Sequence, residues 1–440
     1  MSVDFIDLKV NNAEKFFDSL SGIASDNVYL TFGKVTSWAN DASPNVPNTM
    51  PVTVYEVWNN MIGGKRISGN DVYQVIKRND WTANTVYDEY DQLNPNLYDE
   101  SNTKFYILTG DYNVYKCIYN NNGANSTIEP TSVNSNNVVQ LADGYIWKYM
   151  YTLTTSERLR FTTNDYIPVK FLTVNNSSQQ WNVQESAIPG AILAIKVTDS
   201  GNNYTNVSNL IITITGDGTG AIANGAINNV SNTISSIDIY NQGINYTEGT
   251  VSIIGGGGTN AAARLLIGPP GGHGSNPVYE LGGHRILLNP RINSDEGSKL
   301  PTTNEFRQIA LIKNPLINGS NVVSSNTVIS QTLDLTVAGS GIDYIQDEIV
   351  YQGRTLDTAT FSAIVHSYDS SNNILKTISH TGTPSADTLY GANSTASKFV
   401  SSVTYPDLAK YTGRLLYLDN ILPIQRAPDQ TEDFRIIMEF

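Results

Sequence analysis

Two spacings of apolar residues organise this chain. Near its start, Phe16, Phe17, Leu20 and Ile23 recur at helical intervals and predict a short amphipathic helix over residues 11–22. Asn11 is placed to cap it, Glu14 three positions on completes a capping box, and Gly22 can end it. A second stripe, Val54, Val57, Trp58 and Met61, predicts a helix over 52–62 that Gly63 and Gly64 stop. Almost everywhere else the period is two. Alternation of that kind predicts strands at 28–32, 73–77, 105–108, 114–119 and 145–153, with Gly33 breaking the first and a turn at 120–123. At the other end, Phe434, Ile436, Met438 and Phe440 fall on one face and Arg435, Ile437 and Glu439 on the other, so the chain is expected to finish in a paired strand with buried end residues.

The pattern changes between 188 and 267, where aromatics thin out and a repeat appears. Ile195-Lys-Val-Thr-Asp-Ser-Gly-Asn-Asn-Tyr204 recurs as Ile237-Asp-Ile-Tyr-Asn-Gln-Gly-Ile-Asn-Tyr246, and each copy runs on into a β-branched strand and a Gly-rich turn. The period is close to 40 residues. A looser third copy begins at Leu335 and carries Gly341 and Tyr344. The shared signature is therefore Gly201 with Tyr204, Gly243 with Tyr246, and Gly341 with Tyr344. Strand, Gly-x-x-Tyr turn, strand, Gly turn and strand would make small β units, with the tyrosine packed over the turn. Residues 268–277 read as a Gly/Pro linker.

From these patterns the fold class is α+β and predominantly β, a discontinuous core domain with two small inserted β domains. The expected boundaries are 1–180, 276–320 and 403–440 for the core, 181–275 for the first insertion and 321–402 for the second. A length of 440 residues already asks for more than one ordinary core.

Composition narrows the function. Charged residues make up 15% of the chain, against about 25% in ordinary soluble domains. The formal charge of −14, with scattered Lys and Arg, argues against a nucleic-acid partner and against an anionic membrane. No stretch approaches the roughly 20 apolar residues of a spanning helix, and the acidic start is not that of a secretory leader. A single cysteine, Cys117, sits in an alternating strand pattern and reads as a buried, inert thiol.

Candidate chemistry weakens on inspection. Gly216–Gly220 and Gly255–Gly258 resemble phosphate-cradling loops, but they lie between strands and lack the P-loop lysine, so turn glycines is the better reading. His273 and His284, with Glu280 or Asp295, lack the short fixed spacing of a metal motif. These histidines, like His366 and His380, read as solvated or interface residues. Asp199, Asp217 and Asp238 do not follow a calcium-repeat spacing. The acidic groups Asp88, Glu89 and Asp91; Asp99 and Glu100; Asp295 and Glu296; and Glu432 and Asp433 read as solvated loop acids. No catalytic residue, cofactor or metal is expected. The aromatics read mainly as core, including Trp38, Trp58, Trp81 and Trp147. Tyr145 and Tyr417 stand out as candidate interface residues, since interfaces use aromatic area with a polar handle.

Four blocks carry a resemblance: YLTFGKVTSW from Tyr29, ADGYIWKYMYTL from Ala142, FRQIALIKNPL from Phe306, and the final stretch from Tyr417 to Phe440. With NAEKFFDSL, IKRNDW and VYKCIY, they resemble, in order and character, the baseplate wedge protein family (gene product eight) of T-even-type contractile-tailed bacteriophages. The resemblance covers about 1–175, 280–318 and 405–440. It implies a structural homodimer within a virion's tail baseplate, assembled in the host cytoplasm and touching other wedge proteins, and it brings no catalytic residues with it. The two insertions depart from the family pattern. They leave open a receptor- or glycan-binding tail protein if the Gly-x-x-Tyr units expose carbohydrate-binding lobes, or a polysaccharide depolymerase if a groove gathers paired acids.

Overall fold

The computed structural model describes residues 5–21, 26–99, 101–297, 299–302 and 304–440. Strands hold 42% of it and helices 12%, an α+β arrangement that is mostly β. The chain divides into two compact units: one from Met1–Lys15, Tyr73–Leu287 and Ile437–Phe440, the other from Phe16–Val72 and Leu288–Ile436.

The first helix runs Ile6–Leu20, five residues earlier than its apolar stripe suggested. Asn11 is therefore an interior residue and caps nothing. Glu14 instead accepts a hydrogen bond from the Tyr279 hydroxyl at 3.0 Å. The buried positions are Val10, Ala13 and Leu20, while Phe16 and Phe17 are only half-buried. Gly22 and Ile23 lie outside the described residues. The second helix, Pro51–Asn60, ends before Met61, which opens the strand Met61–Arg66. Gly63 and Gly64 do not stop a helix; they sit inside that strand, where a Cβ on Gly64 would stand 2.6 Å from the Leu30 carbonyl oxygen.

In the first unit, Asn113–Tyr119 pairs with both Tyr106–Leu108 and Ile146–Thr152. Every residue of Asn113–Tyr119 is buried, including Cys117, whose thiol burial pushes well up, and Lys116. Val114, Met150 and Tyr151 join Val10, Phe105 and Val278 in one apolar core. In the second unit, five strands lie in the order Val328–Ser330, Met61–Arg66, Val28–Gly33, Glu305–Lys313, Arg414–Gln425. Val57 and Trp58 of the second helix pack with Tyr29, Ala310 and Ile312 of this sheet. The last strand is Ile436–Glu439. Phe434 and Ile436 are buried, and beyond them the alternation relaxes: Ile437 packs beside Val75, Phe161 and Leu287, while Met438 and Phe440 are half-exposed.

The repeats exchange strands. Call the strands of a copy leading, middle and trailing. The first copy has Ile192–Asn202, Ile211–Gly216 and Thr219–Asn228; the second has Thr233–Ile244, Gly249–Ile254 and Thr259–Ile267. Each leading strand pairs with the trailing strand of the other copy, and the middle strands pair with each other. Register repeats rung for rung: Thr259 opposite Asn202 matches Thr219 opposite Ile244, and Ala263 opposite Val197 matches Ala223 opposite Ile239. The two bulges of each ladder also fall at equivalent places. In the middle ladder Ile211 faces Ile254 and Ile214 faces Val251, so the pairing maps onto itself when the copies are exchanged. The lobe is pseudo-two-fold, with one shared core of Ile195, Val197, Ile237, Leu265, Tyr204 and Tyr246.

The third copy belongs to a closed six-stranded barrel ordered Leu333–Ala338, Ile374–Gly382, Phe361–Asp369, Ile349–Gln352, Thr388–Gly391, Ser397–Thr404. Its partner is a fourth copy, residues 374–404, with the same exchange. The leading strand of each pairs with the trailing strand of the other, with one bulge at Thr336/Val337 and its counterpart at Val365/Ser367. Leu335 corresponds to Leu375, Val350 to Leu389 and Val365 to Val400, and all six are buried in one cluster.

Candidate functional site

The signature tyrosines are structural. Gly201 and Gly243 stand at φ +62 and +63, where a side chain is disfavoured. The Tyr204 ring then lies under the Gly-rich turn of the other copy: a Cβ on Gly258 would meet it at 2.3 Å, and one on Gly218 would meet Tyr246 at 2.4 Å. Tyr204 and Tyr246 are 2% and 4% exposed, so neither can serve as a sugar-stacking platform. The glycine loops are turns between strands that admit a tyrosine. Tyr344 is likewise buried, its hydroxyl donating to the Leu389 carbonyl at 2.9 Å, whereas Gly341, at φ +134, has nothing within 4 Å of a Cβ position.

Apart from Asp238, which lines a cleft, the candidate acidic groups among the described residues are engaged one by one. Asp91 pairs with Arg264, Glu89 with Lys196, Glu296 with Lys65, Glu432 with Arg426 and Asp433 with Arg291. Asp88 accepts from the Lys104 amide at 2.7 Å, Asp99 from the Ser101 amide at 3.1 Å and Asp295 from the Gly297 amide at 3.1 Å. Glu100 lies outside the described residues. Asp199 accepts from the Gly201 amide at 2.9 Å. Asp217 caps Thr247 and Glu248, whose bonds hold its carboxyl at about 2. Among the described residues no three or more His, Cys, Asp and Glu side chains gather as a metal site. Glu280 is paired with Lys116, and His284 contacts the Gly282 carbonyl at 2.8 Å and Glu439 at 3.4 Å.

The two candidate interface tyrosines differ. Tyr145 is fully buried and stacked on Trp147 with ring centroids 5.4 Å apart; its hydroxyl donates to the Ala124 carbonyl at 2.6 Å and accepts from the Tyr87 amide at 3.1 Å. It is core, with no surface to offer a partner. Tyr417 is half-buried on Arg414–Gln425, the edge strand of its sheet, and burial with Asp419 pushes its hydroxyl up to about 12. The sequence did not single out the outer face of the second helix. Met50, Val52 and Tyr55 are about half-exposed there, and Tyr55 meets Tyr411 edge-on at 4.9 Å.

The expected linker at 268–277 is an ordered, largely buried turn. Gly272 and Gly274 have φ of +93 and +96 and lie against Ile188 and Val183, and Glu280 accepts from the Gly274 amide at 2.8 Å. The turn presents His273 to a cleft of about 590 Å³ within the first unit. Leu193, Ile195, Ile237 and Ile239 from the two leading strands face it, together with Val138 and Ile146. Six amide side chains also line it: Asn121, Asn136, Asn137, Gln140, Asn241 and Gln242. Asp238, Tyr240 and Lys148 complete the lining that matters chemically. Lys148 donates to the Ser135 carbonyl at 2.8 Å, and burial with the neighbouring Lys116 lowers its ammonium to about 8.

No known protein-family profile matches the chain. It is similar to a phage structural protein. Baseplate wedge protein gp8 of Enterobacteria phage T4 is 21% identical over 188 residues, 35% of this chain and 56% of that protein. The match thus spans little more than half the length of that relative, and the relationship is distant. No helix among the described residues is long and apolar enough to cross a membrane.

Proposed function

We propose that this protein is a structural component of a bacteriophage contractile-tail baseplate, located in the virion. It acts as a homodimer that links neighbouring wedge proteins. The observation that carries this reading is the similarity to a baseplate wedge protein. The engaged carboxylates support it, because a hydrolase needs carboxyl groups facing a substrate rather than lysines and arginines. The Tyr55–Tyr411 face is the surface we assign to the second copy. It is aromatic and exposed, and aromatic residues are enriched at protein interfaces.

The two lobes suit proposed insertions, since each leaves and rejoins the chain at paired strands. Ile192 is opposite Ile267, and Asp334 is opposite Thr404. Sedimentation tests the dimer: the expected mass is twice the 48.1 kDa chain, and Tyr55→Ser with Tyr411→Ser should return it to a monomer with an unchanged circular dichroism spectrum. A wild-type monomer at micromolar concentration would sink the dimer. A dimer indifferent to both substitutions would move the interface elsewhere.

A further inference from the structure

We propose that the cleft between the leading strands of the repeat lobe and the 136–148 segment is a binding site for a neutral saccharide. His273 is 3% exposed, lines the cleft, and neither ring nitrogen has a hydrogen-bond partner among the described residues. A buried imidazole without partners costs about 1–3 kcal/mol in lost hydration. The turn that holds it is nonetheless tightly made: Gly274 is fixed by Glu280, and the ring lies edge-on to Tyr90 with centroids 5.0 Å apart. Burial, with Lys116 and Lys148 nearby, keeps the ring neutral. A neutral imidazole offers one donor and one acceptor, the complement of a hydroxyl.

The rest of the lining has the same character. The side-chain amides of Asn137, Gln140 and Gln242 make no hydrogen bond within the described residues, and each can donate and accept. Asp238 adds acceptors. Tyr240, 79% exposed, lines the cleft and supplies an aromatic ring of the kind on which the C–H side of a pyranose can stack. The isoleucines and leucine of the leading strands supply apolar contact area. Mixed apolar area with a few converging polar groups, in a volume between 300 and 1,000 Å³, is the usual form of a small-ligand site. Charge selects among polar ligands. Among the described residues the cleft holds one carboxylate, Asp238, and one ammonium, Lys148, which is already committed to the Ser135 carbonyl. No cluster of cations is there to attract a phosphate, uronate or sialate. A neutral polyol fits that balance.

This function is separate from the dimer proposed above and uses none of its residues. The test is a titration of the full chain with maltotriose, cellotriose, chitotriose and, as the charged control, sialyllactose, followed by calorimetry and by the imidazole ¹⁵N signals. At least one neutral sugar should bind and shift the His273 signals, which His273→Gln identifies by their loss. Tyr240→Ala and Gln242→Ala, both at the surface, should each weaken that sugar by about tenfold without altering the melting temperature. Three outcomes overturn the proposal: no neutral sugar binding at millimolar concentration, binding untouched by either surface variant, or preference for sialyllactose. Occupation of the cleft by a peptide segment of a neighbouring protein, seen in an assembled particle, would also overturn it.

Discussion

Glu280→Gln should destabilise the first unit far more than its chemistry suggests. Lys116 is 0% exposed and Glu280 2%. Their ion pair is direct, and the Glu280 carboxylate also accepts from the amides of Gly274, at 2.8 and 2.9 Å, and Asn276, at 3.1 Å. Glutamine retains an oxygen for those amides, so the loss is concentrated on the ammonium. Among the described residues that group then keeps only the Tyr90 ring, 4.8 Å from Nζ. Removing one partner of a buried pair costs about 3–5 kcal/mol, whereas replacing both with uncharged groups of similar size is often close to neutral. For a unit of this size each kcal/mol moves the melting point by roughly 2–4 °C, so the single variant should melt roughly 10 °C lower. Lys116→Met combined with Glu280→Gln should recover most of that loss. Scanning calorimetry, with urea titration as a check, measures both. A single variant within about 1 kcal/mol of wild type, or a double variant as unstable as the single, would show that the pair is not what we take it to be.

Three other outcomes are expected. Gly218→Ala and Gly258→Ala each drive a Cβ into a tyrosine ring, so each should cost about 1–3 kcal/mol; the pseudo-symmetry requires the two losses to agree within error, as urea midpoints will show. Leu335→Ala and Leu375→Ala, both fully buried at equivalent places in the barrel, should each cost about 2–5 kcal/mol, and a negligible loss for Leu375 would remove it from the shared core. His366 is held neutral by burial, and by Lys376, down to about pH 4, with Asn304 donating to its Nε2 at 2.6 Å. The unfolded chain takes up that proton near pH 6.5. Between the two values the unfolded state binds more protons, so stability is full above pH 6.5 and falls towards pH 4 by about 3 kcal/mol. His366→Gln should flatten that part of the curve, measured as the difference between the two proteins' unfolding free energies.

The parts of this structure that were readable in the sequence are those where one residue spacing has one meaning. The period-two runs became strands with small shifts in their ends, because alternation and burial on one face are the same fact. The first two repeat copies were readable because Gly201 and Gly243 are forced by backbone conformation, and Tyr204 and Tyr246 by the space beneath glycines. The fourth copy was not. Its place for Gly341 and Tyr344 is taken by residues of another kind, and only burial at Leu375, Leu389 and Val400 keeps the pattern. Strand exchange was also hidden, since a repeat specifies its strands but not which copy they pair with. Asn11 misled because a capping residue is known by its neighbours' conformation, and Val10 and Ala13, not the phenylalanines, faced the core. The cleft's decisive residue, His273, lay in a stretch whose glycines and prolines read as linker. Its burial depends on Glu280 binding the turn, a contact to which no spacing rule points.

The paired stems of the two lobes have a mechanical consequence. Because Ile192 stands opposite Ile267 and Asp334 opposite Thr404, tension along the chain reaches each lobe as a pull on two neighbouring antiparallel strands at the same end. Such a pull peels the ladder apart one rung at a time, where a pull from opposite ends would have to break many rungs together. Each lobe is therefore loaded in the geometry that opens a ladder at the lowest force. Opened fully, it would add roughly 250 Å of chain between the sheets on either side.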